Sequence, residues 1–263
     1  MDRSTVTVKQ AANVLDLIEF FAEHKRPATL AEIANHFAWP RSSTFNLLGT
    51  LAERGYLYEP RSRGGYYPSP LWSSQLQSIQ RAEPILDQFR ALLRALVERT
   101  GETAVLAAAS GSHAVFIDVI ESHHAIRYTA TQGKLIPLHV TATGRALLSQ
   151  LSPADRASIL RRAAFERYTP TTLMSVAAVE KEIQRSIDRG WFEGAAEYTA
   201  DLGGVAMPLP IPHRQYAVLV AWPMSRIKGR SAELATIVAA EVKSFLSDLL
   251  PAEPRKLRAP AGG

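Results

Sequence analysis

Residues 29–58 read TLAEIANHFAWPRSSTFNLLGTLAERGYLY, and this stretch decides the fold of the N-terminal part of the chain. Thr29 and Glu32 form the capping-box pattern of a helix N-terminus, so a short helix is predicted to follow Thr29. After a turn, a longer helix begins at Pro40 or Arg41. A helix, a tight turn and a second helix with a polar first turn can place that second helix in the major groove of duplex DNA.

The flanking sequence predicts a winged helix-turn-helix. Apolar residues recur at helical spacing between Val8 and Glu23, which indicates a helix ahead of the pair. The aromatic-rich segments 56–58 and 66–67 flank a loop that ends in Gly-Gly, a pattern typical of a β-hairpin, here the wing. The buried side of the helix that follows the turn is expected to comprise Phe45, Leu47, Leu48 and Leu51.

Composition sets the broad class of the protein. A chain of 263 residues is long enough for two modest domains. No run of about 18 apolar residues is present, and the N-terminus has no apolar signal core, so a cytoplasmic protein without membrane spans is expected. Cysteine is absent, which excludes disulfides and thiolate chemistry. The net charge of +5 favours a nucleic-acid partner without deciding it.

The predicted organisation is a winged helix-turn-helix domain at 1–69, a linker helix at 70–82, an α+β domain at 83–250 and a disordered tail at 251–263. Antiparallel strands with flanking helices are expected in the α+β domain, and such a sheet can enclose a small molecule. Its strands are predicted at 103–109, 114–121, 125–131, 192–198, 205–210 and 216–221. Its helices are predicted at 85–99, 141–150, 153–164, 175–189 and 231–250.

Three segments in order resemble the IclR-type transcriptional regulators. The first is the winged helix at 29–58, and the second is GKLIPLHVTATGRALL at 133–148, which looks like the opening of that family's effector domain. The third is the stretch from Glu197 to Pro208. The resemblance covers about residues 8–250 and implies a DNA-binding domain joined to a GAF-like effector domain. It also implies a homodimer or dimer of dimers on palindromic operators, acting as repressor, activator or both.

The DNA-binding residues are expected at the start of the recognition helix and in the wing. They are Arg41, Ser42, Ser43, Thr44 and Asn46, with Arg61 and Arg63 in the wing. Hydroxyl groups and arginines suit phosphate oxygens, whereas an asparagine can bond bidentately to adenine. Ser42 serves either as a helix cap or as a DNA contact. Asn46 stands where the family often has arginine, so an operator consensus does not transfer from relatives.

The resemblance also implies an effector site in the second domain. Matching the family's landmarks gives Arg127, Tyr128, Ala142, Thr143, Gly194, Gly204, Leu219 and Ala221. Leu219 and Ala221 replace small polar residues of glyoxylate- and pyruvate-responsive relatives, and Gly194 replaces an acidic one. These changes predict a larger, more apolar pocket and an aromatic or hydrophobic carboxylic acid. Arg127 or the helix start at Thr143 would hold the carboxylate, although Arg127 also fits a surface position on a strand.

The favoured function is a ligand-responsive regulator of a catabolic operon, with no catalytic residue, metal or cofactor. Its partners are double-stranded operator DNA and a small organic acid. The histidines, among them His113 and His139, lack metal-ligand spacing, and His139 is expected to be structural. An enzyme fused to a DNA-binding domain is the first alternative, but no nucleophile–base pair or phosphate loop is evident. A regulator of a short-chain oxo-acid pathway and a purely architectural DNA-binding protein are the others.

Overall fold

A computed structural model of the protein describes residues 8–61, 64–81, 85–226 and 229–249. The chain divides into two compact units, Met1–Pro84 and Ile85–Gly263. The helix predicted as a linker belongs to the first unit. It packs there because the indole of Trp72 donates a hydrogen bond to the carbonyl of Tyr56 and lies against that tyrosine ring.

The first unit is a winged helix-turn-helix, as predicted. Its elements are α1 (Lys9–His24), α2 (Leu30–Phe37), α3 (Arg41–Glu53), β1 (Leu57–Tyr58), β2 (Tyr67–Pro68) and α4 (Leu71–Arg81). The predicted capping box is present, since the Thr29 hydroxyl accepts from the Glu32 amide and the Glu32 carboxylate accepts from the Thr29 amide. Helix α2 ends at Ala38 in a left-handed conformation, and α3 begins three residues later.

The base of the wing is tied to the residue ahead of α2. Ala28 and Tyr66 form an isolated antiparallel bridge, with amide-to-carbonyl distances of 3.0 and 2.8 Å. Gly65 has a φ of +89°, and a Cβ atom there would lie 2.5 Å from the carbonyl carbon of Ala28. Glycine is therefore required at this position for both conformation and space.

The core of the first unit corrects one prediction about α3. Leu48 and Leu51 are buried with Leu17 and Ile33, but Phe45 is 60% exposed. Because each residue of a helix advances by about 100°, Phe45 lies away from the stripe formed by the two leucines. Phe45 was therefore wrongly assigned to the buried side of this helix.

The second unit is a six-stranded antiparallel sheet with helices on both faces. Its elements are α5 (Ile85–Thr100), β3 (Thr103–Ser110), β4 (His113–Ile120), β5 (Leu135–Pro137), α6 (Ala142–Leu148), α7 (Pro153–Leu160), α8 (Val176–Arg189), β6 (Phe192–Ala195), β7 (Leu202–Ile211), β8 (Arg214–Pro223) and α9 (Ser231–Leu249). The strand order is β5-β4-β3-β8-β7-β6. The predicted α+β class is confirmed.

Alternation along the strands separates two apolar cores. Leu106, Val218 and Val220 face a core that includes Phe89 of α5 and Val238 of α9. Residues of the opposite parity, such as Ala107, Ala217 and Leu219, face a core built with α6, α7 and α8. Side chains of a strand point alternately to its two faces, so one sheet supports both layers.

The strand predicted at 125–131 is wrong, because no strand in the described part of the chain pairs with that segment. Its carbonyls accept hydrogen bonds from side chains instead: Arg226 donates to the carbonyl of Ile126, and Thr103 donates to the carbonyl of Tyr128. The outer edge of β4 pairs with β5. The strand predicted at 192–198 ends at Ala195, whereas β7 and β8 extend beyond their predicted ends.

Candidate functional site

The first candidate site is the exposed face of α3. Arg41, Ser42, Ser43 and Asn46 are all exposed, as a DNA-reading surface requires. The side chain of Ser42 forms no cap, since the N-cap residue of α3 is Pro40. Arg61 of the wing is exposed, and Arg63 lies outside the described residues.

Thr44 does not belong to that exposed face. Its side chain is buried, and its hydroxyl donates a 3.1 Å hydrogen bond to the carbonyl of Pro40. The residue therefore closes the first turn of α3 from the inside, and its prediction as a DNA contact is corrected. The exposed Phe45 was missed because an aromatic residue was assumed to be buried. Its helical phase, one turn from Arg41, was the available signal.

The second candidate site is a cavity in the second unit, between the sheet and the start of α6. It contains about 460 Å³ of atom-free space, part of which is open to solvent. Its apolar lining comes from Phe116, Tyr128, Ile136, Val140, Leu202, Leu219 and Ala221.

A row of small residues makes room for the cavity. Gly194 pairs with Gly204, and Gly204 pairs with Ala221, so these residues lie side by side across β6, β7 and β8. A Cβ atom on Gly204 would lie 2.8 Å from Cδ1 of Leu219, and one on Gly194 would lie 3.4 Å from Cβ of Ala142. Larger side chains at either glycine would fill the depression.

The structure brings seven of the eight predicted effector residues to this cavity. They are Tyr128, Ala142, Thr143, Gly194, Gly204, Leu219 and Ala221. Arg127 is the exception, since its Nε donates a 2.7 Å bond to Glu121 and Nη1 donates to the carbonyl of His124. Tyr128 lines the cavity and Arg127 does not. The prediction of Arg127 as a carboxylate anchor is corrected.

Helix α6 is held close to the preceding segment by a glycine. A Cβ atom on Gly144 would lie 2.1 Å from the carbonyl oxygen of Leu138, so only glycine permits this contact. The Thr141 hydroxyl caps the helix by accepting from the Gly144 amide. These contacts place Thr143 at the cavity, where its Oγ1 atom is buried and has no hydrogen-bond partner in the described part of the chain.

A buried ion pair lies at one wall of the cavity. Arg145 is fully buried, and its Nη2 donates 2.6 Å bonds to the Glu197 carboxylate and to the carbonyl of Glu193. Burial raises the pKa of Glu197, an effect that the positive charge of Arg145 opposes. Sequence reasoning missed this pair, since the two partners are 52 residues apart.

Burial shifts the pKa of two further groups near the cavity. Burial raises the pKa of Tyr128 to about 12, which keeps its phenol protonated. Burial and the nearby Arg145 lower the pKa of His139. Both nitrogens of His139 are buried without a partner among the described residues, and its ring packs on Phe165.

Neither membrane insertion nor metal binding is indicated by the described residues. None of their helices combines the length and the apolar character needed to span a bilayer. In the same ranges, no three histidine or acidic side chains are grouped as metal ligands would be.

A winged-helix unit followed by an α+β unit with an apolar cavity is the arrangement of a transcription factor that carries both a DNA-binding domain and an effector-binding domain. Comparison with known proteins identifies the family. Residues 10–61 match the IclR helix-turn-helix domain, and residues 77–245 match the bacterial transcriptional regulator IclR C-terminal domain. The chain belongs to the IclR family of transcriptional regulators, and this places it outside the enzymes.

Individual relatives agree with this assignment. The acetate operon repressor of Salmonella typhimurium is 31% identical over 248 residues, covering 91% of this chain and 89% of the relative. The solved structure of IclR from Thermotoga maritima has a TM-score of 0.74 at 20% identity and covers 92% of this chain and 99% of its own. An IclR homolog from Microbacterium hydrocarbonoxydans, solved with 4-hydroxybenzoate, has a TM-score of 0.68 at 20% identity, with coverages of 91% and 99%.

Proposed function

We propose that the protein regulates a catabolic operon in response to an aromatic or hydrophobic carboxylic acid bound in the cavity of the second unit. The observation that carries the proposal is the apolar lining around the row of Gly194, Gly204 and Ala221. Apolar contacts of this kind suit a ring or a branched chain better than a two- or three-carbon acid. The structural neighbour that was solved with 4-hydroxybenzoate supports this class of ligand.

With Arg127 excluded, the carboxylate is assigned to hydroxyl donors at the cavity. Thr143 lines the cavity with a buried, unpartnered hydroxyl, and Tyr128 lines it with a phenol that stays protonated. Glu197 also lies at this wall, but its negative charge is paired with Arg145. It therefore repels a bound carboxylate only weakly.

The DNA partner is a double-stranded palindromic operator, which a homodimer or dimer of dimers would bind. Arg41, Ser42, Ser43 and Asn46 on α3 and Arg61 in the wing are the proposed contacts. The serines and arginines bind phosphate oxygens, and Asn46 binds a base edge. Each phosphate contact that is removed should lower the slope of log affinity against log salt by about one unit.

The test is fluorescence anisotropy of the protein on its own upstream intergenic DNA at fixed salt, with a panel of aromatic and short-chain acids. A change in the DNA dissociation constant with an aromatic acid alone supports the proposal. A change with glyoxylate or pyruvate alone would replace it with the short-chain oxo-acid alternative. The absence of any selected DNA fragment in a genome-wide binding experiment would contradict the DNA-reading function itself.

A variant pair then locates the effector. Thr143→Val removes the unpartnered hydroxyl at nearly constant volume, and we expect the effector dissociation constant to rise about tenfold, the effect of one lost hydrogen bond. DNA affinity without effector should be unchanged. Thr236→Val is the matched control, since its exposed hydroxyl on α9 bonds only within its own helix. Equal effects of the two substitutions would contradict the assignment of Thr143.

A further inference from the structure

Helix α3 carries an aromatic ring on its exposed face. Phe45 is 60% exposed and has Arg41 and Gly49 one turn away on either side. Ser42 and Asn46, also exposed, lie beside it. At about 100° per residue, these five residues fall within an arc of roughly 140°, whereas Thr44, Leu48 and Leu51 face the core. The ring is therefore part of the polar surface and not of the interior.

The neighbours of the ring indicate what it contacts. An exposed aromatic side chain costs solvation free energy unless a partner covers it, and here the surroundings are a guanidinium, a hydroxyl and an amide. Arginine and serine bind phosphate, asparagine binds adenine, and phenylalanine makes apolar contact with the C5-methyl group of thymine. We propose, on the basis of the DNA-reading function above, that Phe45 recognises a thymine methyl group in the major groove.

The position of Asn46 sharpens this proposal. On α3 Phe45 and Asn46 are adjacent, about 1.5 Å apart along the helix axis and about 100° apart around it. An A·T pair presents the adenine N6 and N7 atoms and the thymine methyl group together in the major groove. We expect Phe45 and Asn46, which share the exposed face of α3, to contact the same A·T pair or neighbouring pairs.

Gly49 provides an independent observation on the same face. Apart from its own stretch of helix, a Cβ atom there would meet no atom of the described residues within 4 Å, and its φ is not positive, so neither packing nor conformation among them requires glycine. Glycine inside a helix is destabilising. Its role follows from the surface it leaves, a stretch of bare backbone beside Phe45 that lets the helix lie deep against the DNA.

The experiment starts from an operator selected with the full-length protein. Each thymine of that duplex is replaced in turn by deoxyuridine, which removes only the methyl group, and binding is measured by anisotropy for wild type and Phe45→Ala. We expect one position in each half-site where the replacement weakens wild-type binding about fourfold, the effect of one buried methyl group. Phe45→Ala should be insensitive at that position.

Ile187→Ala is the matched control, since it truncates a 45% exposed apolar residue on α8 of the second unit and should keep the wild-type pattern. Equal weakening of Phe45→Ala on thymine and deoxyuridine duplexes at every position would overturn methyl recognition. A change in oligomeric state of Phe45→Ala, measured by light scattering, would instead make Phe45 a subunit contact and would also overturn it. Failure to select any operator would contradict the proposed function and this inference together.

Gly49→Leu tests the close approach separately. Because the site is open, the thermal midpoint should be unchanged or higher, while the dissociation constant for the selected operator should rise at least about tenfold. Unchanged DNA affinity of this variant would overturn the proposed contact between this part of α3 and DNA.

Discussion

Two glycines in helices, Gly144 and Gly49, have opposite reasons to be glycine. A Cβ atom on Gly144 would overlap the carbonyl oxygen of Leu138, whereas one on Gly49 would meet open space. The first residue is required by packing inside its own unit. The second is not required by any packing contact within the described part of the chain, and the proposed approach to DNA accounts for it.

Alanine substitutions at these two positions should change the free energy of unfolding in opposite directions. Gly144→Ala should lower the free energy of unfolding by about 1–3 kcal/mol or more, because α6 must move away from Leu138. Gly49→Ala should raise it by roughly 0.5–1 kcal/mol, the helix preference of alanine over glycine. Urea unfolding followed by circular dichroism of both full-length variants measures the difference. A stabilised Gly144→Ala would contradict the packing argument.

At the scale of residues, the sequence predicted which small residues line the cavity better than it predicted which polar side chains point into it. The small residues at 194, 204 and 221 could be matched from the family landmarks, and the sheet register places them side by side. The orientation of Arg127 and Tyr128 could not be predicted, since it depends on side-chain hydrogen bonds from Thr103 and Arg226, both distant in sequence. Burial of Thr44 and exposure of Phe45 likewise depend on the exact phase of α3.

At the scale of elements, local signals predicted the helices well. The capping box of α2 is present as predicted; in the structure a serine cap and a proline begin α7, and Gly190 ends α8. Each of these signals acts within one turn of its own residue. The predicted strand at 125–131 failed because strand formation needs a partner, and the outer edge of β4 pairs at residues 113–115 with β5, which follows a turn at Gly133.

The capping box of α2 gives a pH prediction. Hydrogen bonds from Thr29 lower the pKa of Glu32 from 4.5 to about 2, first the bond from its backbone amide and then the bond from its side chain. Because the folded pKa lies below the unfolded one, this carboxylate stabilises the fold above about pH 4.5. Its contribution is lost as the pH falls towards 2.

NMR titration of the side-chain carboxyl in the full-length protein measures this directly. We expect a midpoint well below 4.5 in wild type, and Thr29→Ala should move it upwards because the hydroxyl bond is lost. Ser152→Ala is the control, since it removes the comparable cap of α7 and should leave the Glu32 midpoint in place. An ordinary midpoint for Glu32 in wild type would show that the capping box does not hold in solution.

At the scale of the whole molecule, the proposal joins two binding events on separate units. We propose that effector binding changes the orientation of the subunits in the dimer and thereby the affinity for DNA, an effect that depends on the difference in effector affinity between the two arrangements. Thermodynamic linkage then requires that DNA change the affinity for effector by the same factor.

Reciprocity is therefore the prediction at this scale. With the acid identified by anisotropy, the DNA dissociation constant should change by a factor of about 5–150 at saturation. Calorimetric titration of the effector into free and operator-bound protein should give the same ratio. Thr143→Val should weaken both titrations equally and preserve the ratio. An unchanged DNA dissociation constant at saturating effector would contradict this prediction, and the effector would then have to regulate in a way that does not alter operator affinity.

The bridge between Ala28 and Tyr66 has a consequence for which operators are accepted. Its two hydrogen bonds hold the base of the wing at a fixed position relative to the start of α2. Because the distance between the base of the wing and α3 is fixed, the DNA duplex must adapt to the protein through its groove width and bend. The cost of that deformation depends on the stiffness of the base steps involved. The operator sequence would then be selected even at base pairs that no side chain contacts, because their flexibility determines the cost of deforming the duplex.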